Sequence, residues 1–190
     1  MTFLEIAIHY FQLGFIHVLP YGFDHILFIL SLFFLNSNFK SVLIQCSIFT
    51  IAHSITLALA ATKYIIPNTN IIEPLIAVSI LFTAIENIIH DKINIWRLII
   101  IFGFGLIHGL GFANALNEIG LPQTDFINSL IFFNIGVEYG QITIIFLTYF
   151  SINKWLKDKK WYKEKIVYPI SSIIGCIALY WTIERLFFVN

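Results

Sequence analysis

The run SVLIQCSIFTIAHSITLALAA, residues 41–61, contains no Asp, Glu, Lys or Arg, and SLIFFNIGVEYGQITIIFLTYF, residues 129–150, contains one, Glu138. About twenty apolar residues in a row match the roughly 30 Å hydrocarbon core of a bilayer as a helix. A membrane barrel would instead alternate over segments of about ten residues, a pattern absent here. With 58% hydrophobic and 12% charged residues and a mean hydropathy of +0.85, the chain departs from a soluble domain, where about a quarter of residues are charged. The fold class is all-α: a polytopic membrane helical bundle forming one domain over residues 1–190. No repeat, low-complexity stretch or linker divides it.

Apolar segments fall at about 3–19, 24–36, 41–61, 72–90, 97–117, 126–150 and 166–187. The first two are short for full spans and are split by Pro20 and Gly22, which end a helix. They read as a tight hairpin. A basic loop over about 151–165 carries Lys154, Lys157, Lys159, Lys160, Lys163 and Lys165, and the positive-inside rule makes it cytoplasmic. Counting back puts Lys40, Lys92 and Arg97 inside, with Lys63 and Arg185 outside. Seven crossings then leave the N-terminus in and the C-terminus out, which fits a bacterial inner membrane. The basic run reads as a topology determinant and a contact for lipid headgroups, not for nucleic acid. Cys46 and Cys176 stand singly in apolar runs, as buried inert thiols do. The N-terminus lacks the basic region and small-residue cleavage site of a removed signal peptide.

Polar residues in such segments need compensation. GFIHVLPYGFDHILF, residues 14–28, holds His17, Asp24 and His25 around the break; His53 lies mid-way along the third segment, His108 in the outer half of the fifth and Glu138 near the middle of the sixth. By this topology all six lie at the midplane or in the outer half of the membrane. Asn134, Glu138 and Gln141 follow at i, i+4 and i+7, one face of a helix, and Thr50, His53 and Thr56 form a narrower stripe with Ser54 beside it. Gly103, Gly105, Gly109 and Gly111 surround His108, and Gly105-x-x-x-Gly109 permits close helix approach. A charge at the bilayer centre costs about 2.5–3.5 kcal/mol on insertion scales. A divalent metal held by His17, Asp24, His25, His53, His108 and Glu138 would neutralise the carboxylates and satisfy the imidazoles together.

Each residue also has a plainer role open to it. Asp24 can be a helix N-cap, His25 an interfacial residue, and His17 a partner for a carbonyl freed near Pro20. His53 and His108 can be core histidines, Glu138 a neutral acid between helices, and Glu73 a helix-terminal charge. A second stripe, Ser79, Thr83, Glu86, Asn87 and His90, leads to the cytoplasmic side; it reads either as the inner half of a path or, with Asp91, as a helix end meeting water. His9 has no assigned role.

The blocks HVLPYGFDHILF, FTIAHSITL, FGFGLIHGLGFA and FNIGVEYGQ resemble the signature blocks of the HupE/UreJ membrane proteins, over about Phe11 to Gln141. That family is associated with hydrogenase and urease accessory functions, and members are described as nickel permeases. The resemblance implies a small multi-helix inner-membrane protein handling Ni²⁺ or a similar ion. The better-known pattern joins His to Pro, then Gly, then Asp-His. Here Val18 follows His17 and Pro20 comes three residues after it, so the chain resembles the less characterised branch.

Imidazole and carboxylate donors suit Ni²⁺, Zn²⁺, Fe²⁺ or Mn²⁺, whereas Cu⁺ prefers sulfur ligands that this chain scarcely has. A permease for such an ion is the leading expectation, with outer capture at His17, Asp24 and His25, a midplane site at His53, His108 and Glu138, and an exit by Thr83, Glu86, Asn87 and His90. The alternative is an intramembrane metal-dependent hydrolase with Glu138 as general base and Asn134 or Ser54 near the reacting oxygen. A structural or accessory subunit without metal is the third reading. Homo-oligomers and metalloenzyme-maturation proteins are the partners considered beside the ion and the bilayer.

Overall fold

A computed structural model of the chain describes residues 2–35, 38–90, 95–119 and 125–188, without the side chains of 113–119. Seven principal helices occur: α1 (Phe3–Val18), α2 (Phe23–Leu35), α3 (Phe39–Ala61), α4 (Thr69–Ile89), α5 (Ile95–Ile119), α6 (Phe126–Thr148) and α7 (Tyr168–Phe187). There is no strand among the described residues. Asp91 and Lys92, named above for the inner face, lie outside the described residues.

Local chemistry sets the helix starts. Asn38 caps α3 through the amides of Lys40 and Ser41, at 3.1 and 3.3 Å. Asn68 likewise caps α4 through Asn70, so α4 begins a turn before the expected start at 72 and takes Pro74 inside it. The basic loop is shorter than expected. Helical structure continues from α6 through Leu156 and resumes by Lys163, narrowing a loop expected over 151–165 to about 157–161.

Five helical stretches, Phe39–Ala61, Thr69–Ile89, Ile95–Phe112, Phe126–Leu156 and Lys163–Phe187, are long and apolar enough to cross a membrane. With α1 and α2 counted as one bent pair there are up to six. Outward-facing Ile51, Ile55, Ile85, Ile99, Ile131 and Phe146 remain exposed in the isolated chain. Such an apolar exterior is matched to lipid. This is an integral membrane protein.

The first two helices are not the expected hairpin. Their axes bend by 67° rather than reversing, and the two helices scarcely touch. Instead α1 packs along α6: Gly14 faces the backbone of Phe133 and Val137, Gly136 faces that of Phe11 and Phe15, and Gly140 meets Val18. Rising numbers on one helix meet rising numbers on the other, so α1 and α6 run parallel. A methyl group on Gly14 or Gly136 would collide with a backbone carbonyl of the facing helix.

The remaining pairs fix the bundle. α3 and α5 are parallel, with Gly105 against Phe49 and Ala52 and Gly109 against His53 and Thr56. α4 and α7 are antiparallel, because Glu73 meets Arg185 while Asn87 meets Ser171. α3 and α6 are antiparallel, with Phe39 near Tyr149 and Ser47 bonded to Glu138. Hence the start of α1 and the end of α7 lie at the same end of the bundle. Seven alternating crossings would have set them at opposite ends; the bend in place of a hairpin removes one reversal.

Candidate metal centre

The break between α1 and α2 builds the centre. In a continuous helix, residues 17 and 25 would stand roughly 12 Å apart along the axis. At Leu19–Gly22 the chain bends sharply, and Gly22 sits so close to the His17 carbonyl and Val18 that a side chain there would clash. His17, in the last turn of α1, and His25, in the first turn of α2, thereby come to ring centroids 4.6 Å apart.

α3 brings His53 to the pair. Its ring lies 6.1 Å from His17 and 6.0 Å from His25. His17, His25 and His53 each offer a ring nitrogen, and these three nitrogens lie within 4.8 Å of one another. The close α3–α5 crossing at Gly109 adds His108, 5.4 Å from His25 by ring centroids and hydrogen-bonded through Nε2 to Ser79 Oγ at 3.0 Å. Phe28, Phe49, Phe112 and Phe133 wall the imidazoles.

Burial makes the arrangement chemically demanding. His53 is fully buried, and His25 and His108 are nearly so. Yet both nitrogens of His25, both of His53, Nε2 of His17 and Nδ1 of His108 are buried without a hydrogen-bond partner among the described residues. Native interiors leave few such groups. Imidazole donors at tetrahedral Zn²⁺-like distances stand roughly 3.4 Å apart, given metal–nitrogen bonds of about 2.0–2.1 Å. The three ring nitrogens, all within 4.8 Å of one another, approach that spacing. The donor set fits a borderline transition metal.

The other expected residues fall elsewhere. Asp24 does not join the histidine group: its Oδ2 pairs with Arg185 Nη2 at 3.2 Å, and Arg185 Nη1 pairs with Glu73 Oε2 at 3.1 Å. Asp24, Glu73, His17, His25 and His108 line one cavity of about 330 Å³, so the two carboxylates stand in the same opening as the imidazoles. Glu73, read as a helix-terminal charge, and Arg185, read as an outer flank, are thus residues of that opening. Their link to Asp24 spans 161 positions for Arg185 and leaves no local sequence signal.

Glu138 also stands apart from the three histidines. Its Oε1 accepts from Ser47 Oγ at 2.7 Å, and it lines a different cavity with Thr50, Ser54 and Asn134. Asn134 lies beside His53 on the wall between the two cavities. Ser54 donates to the Thr50 carbonyl at 2.6 Å, and Gln141 is fully buried with neither amide atom partnered among the described residues. A general base at Glu138 acting on the histidine site, as the hydrolase reading needs, is not assembled in this geometry.

The inner stripe is occupied by its own contacts. Glu86 Oε2 pairs with Arg97 Nη1 at 2.6 Å, and Arg97 Nε donates to Gln45 at 2.8 Å. Ser31 bonds Thr83 at 2.6 Å, while Asn87 donates to the Ser31 carbonyl and to Ser171 at 2.8 and 3.2 Å. The exposed His90 caps the end of α4. These groups tie helices together in place of lining an open passage. Arg97, counted from sequence as a cytoplasmic flank, is among the most buried large side chains, at 2% exposure.

Comparison with known proteins gives one family. A sequence profile described as HupE / UreJ protein matches residues 2–185. No curated protein and no solved structure matches. The match covers nearly the whole chain, including the break that builds the histidine pair, the glycine crossings and Glu138. This chain belongs to the HupE/UreJ family.

Proposed function

We propose that the protein binds a divalent transition metal at His17, His25 and His53, with His108 adjoining, and carries it across the membrane. The observation behind this reading is the group of buried ring nitrogens, within 4.8 Å of one another and unpartnered among the described residues. A metal supplies what they lack, and neutral imidazole suits Ni²⁺, Zn²⁺ or Fe²⁺ better than Ca²⁺ or Mg²⁺. The ion is the cargo. Asp24 and Glu73, in the shared cavity, would attract it; Arg185 holds them paired until it arrives.

Orientation follows from the basic stretch Lys154–Lys165. With that stretch cytoplasmic in a bacterial inner membrane, the histidine opening faces outward and both ends of the chain lie outside. The Glu86–Arg97 pair and the Asn87 contacts then close the inner half, so release to the cytoplasm requires them to part.

Elemental mass spectrometry on the detergent-purified chain, loaded in turn with Ni²⁺, Zn²⁺, Fe²⁺ and Mn²⁺, tests the site. One ion per chain is expected, with a loss of at least tenfold in His53→Ala. A chain that stays empty with all four sinks the reading. Uptake of the bound ion into proteoliposomes tests carriage separately, and binding without flux would leave an accessory metal-binding protein.

A further inference from the structure

The cleft between α3 and α6 holds a second set of polar atoms, distinct from the imidazoles. Its cavity, about 590 Å³, is lined by Ser47, Thr50, Asn134 and Glu138 among apolar side chains. Its rim residues Ile51, Ile131 and Ile135 belong to the lipid-matched exterior. Three of its oxygens are buried without a partner among the described residues: Glu138 Oε2, Asn134 Oδ1 and Thr50 Oγ1.

The contacts around them define what is missing. Ser47 satisfies Glu138 Oε1 and leaves Oε2 open. Asn134 spends its amide nitrogen on the Leu130 carbonyl at 2.8 Å, which leaves its oxygen as an acceptor on the wall beside His53. Thr50 is 8% exposed, so its hydroxyl is not solvated. A carboxylate, an amide oxygen and a hydroxyl are hard oxygen ligands, the set that binds alkali and alkaline-earth cations. Transition metals prefer the nitrogens across the Asn134 wall.

Charge decides between the hard cations. The site brings one carboxylate, and α3 and α6 place no second acid in its lining. A monovalent ion makes the site neutral, whereas Ca²⁺ or Mg²⁺ would leave a net positive charge facing hydrocarbon, which is strongly disfavoured. We propose that Glu138, Asn134 and Thr50, with Ser47 orienting the carboxylate, form a site for a monovalent alkali cation of the Na⁺ class.

Equilibrium binding of ²²Na⁺ to the purified full chain tests this, with KCl and choline chloride as competitors at equal ionic strength. The expected result is about one ion per chain, displaced by unlabelled Na⁺ and not by choline. Binding should fall at least tenfold in Glu138→Gln and several-fold in Thr50→Val. The amide of Glu138→Gln keeps the shape and removes the buried charge, and its melting temperature, measured in choline, reads whether it is folded. No specific ²²Na⁺ binding to the wild type, or equal binding in a folded Glu138→Gln, would overturn the proposal. Transition-metal content of the same preparations, loaded in Na⁺-free buffer, keeps this outcome separate from that of the histidine site: either can fail while the other holds.

Discussion

The histidine region of this bundle and the region around Arg97 both bury polar residues, but they treat them differently. Arg97 is joined to Glu86 and Gln45, and Ser31 to Thr83 and Asn87, so each of these side chains has a partner across α2, α3, α4 and α5, although Arg97 Nη2 and Asn87 Oδ1 have none among the described residues. In the histidine region, His25 and His53 have no partner at either ring nitrogen among the described residues, and nearby Glu138 has one at a single oxygen. Polar groups satisfied by each other hold helices in register. Side chains with no partner at all leave their polar atoms free for a ligand. The contrast is between side chains that tie helices together and imidazoles that have no protein partner at either nitrogen among the described residues.

Substitutions can break or sharpen this contrast. The largest effect is expected at Arg97. Arg97→Ala strands the partly buried Glu86 carboxylate, and breaking a fully buried pair from one side costs about 3–5 kcal/mol, an upper bound here. Replacing both partners, as in Glu86→Gln with Arg97→Gln, should recover most of that loss in a denaturant titration. If Arg97→Ala unfolds at the wild-type midpoint, the Arg97 contacts do not hold the fold as described. Next comes the α3–α5 crossing. Gly109→Val must displace α3 at His53 and Thr56, with an overpacking cost of about 1–3 kcal/mol. Because the same crossing sets His108 beside the other histidines, metal content should fall along with the melting temperature. Smallest is the opening beside the histidines. Asp24→Asn removes one partner of Arg185 from a partly exposed pair, worth about 0.2–1 kcal/mol. Stability should barely move while metal affinity at low ionic strength falls severalfold, a response that a purely structural pair would not give.

The features legible in the sequence are those with short range. Apolar runs gave the helices because spanning length and composition are local properties, and Gly105-x-x-x-Gly109 marked a true close crossing because small residues at i and i+4 share a helix face. The histidines could be recognised as a group because apolar surroundings make each one expensive. Contacts between distant positions were not legible. Arg97 beside a loop looks like a cytoplasmic flank until its pairing with Glu86 is seen. The partnership of Arg185 with Asp24 and Glu73 links the ends of the chain. Glu138 and His53 sit at similar depth, and depth alone assigned them to one site; the rotation of α6 that turns Asn134 and Glu138 toward Ser47 and Thr50 separates them. The hairpin reading failed for a related reason. Pro20 and Gly22 signal a break but not its angle, and the parallel course of α1 depends on Gly14 and Gly136, residues more than a hundred positions apart.

The parallel packing of α1 on α6 also bears on how the chain can be rewired. With the first and last helices opening and closing at one end of the bundle, a short hydrophilic tether can join the tail of one copy to the head of the next without an added membrane crossing. Single-chain tandems, and permuted chains opened at the 157–161 turn, are therefore topologically permitted. In a seven-crossing bundle either construction would have to drag its linker through the bilayer.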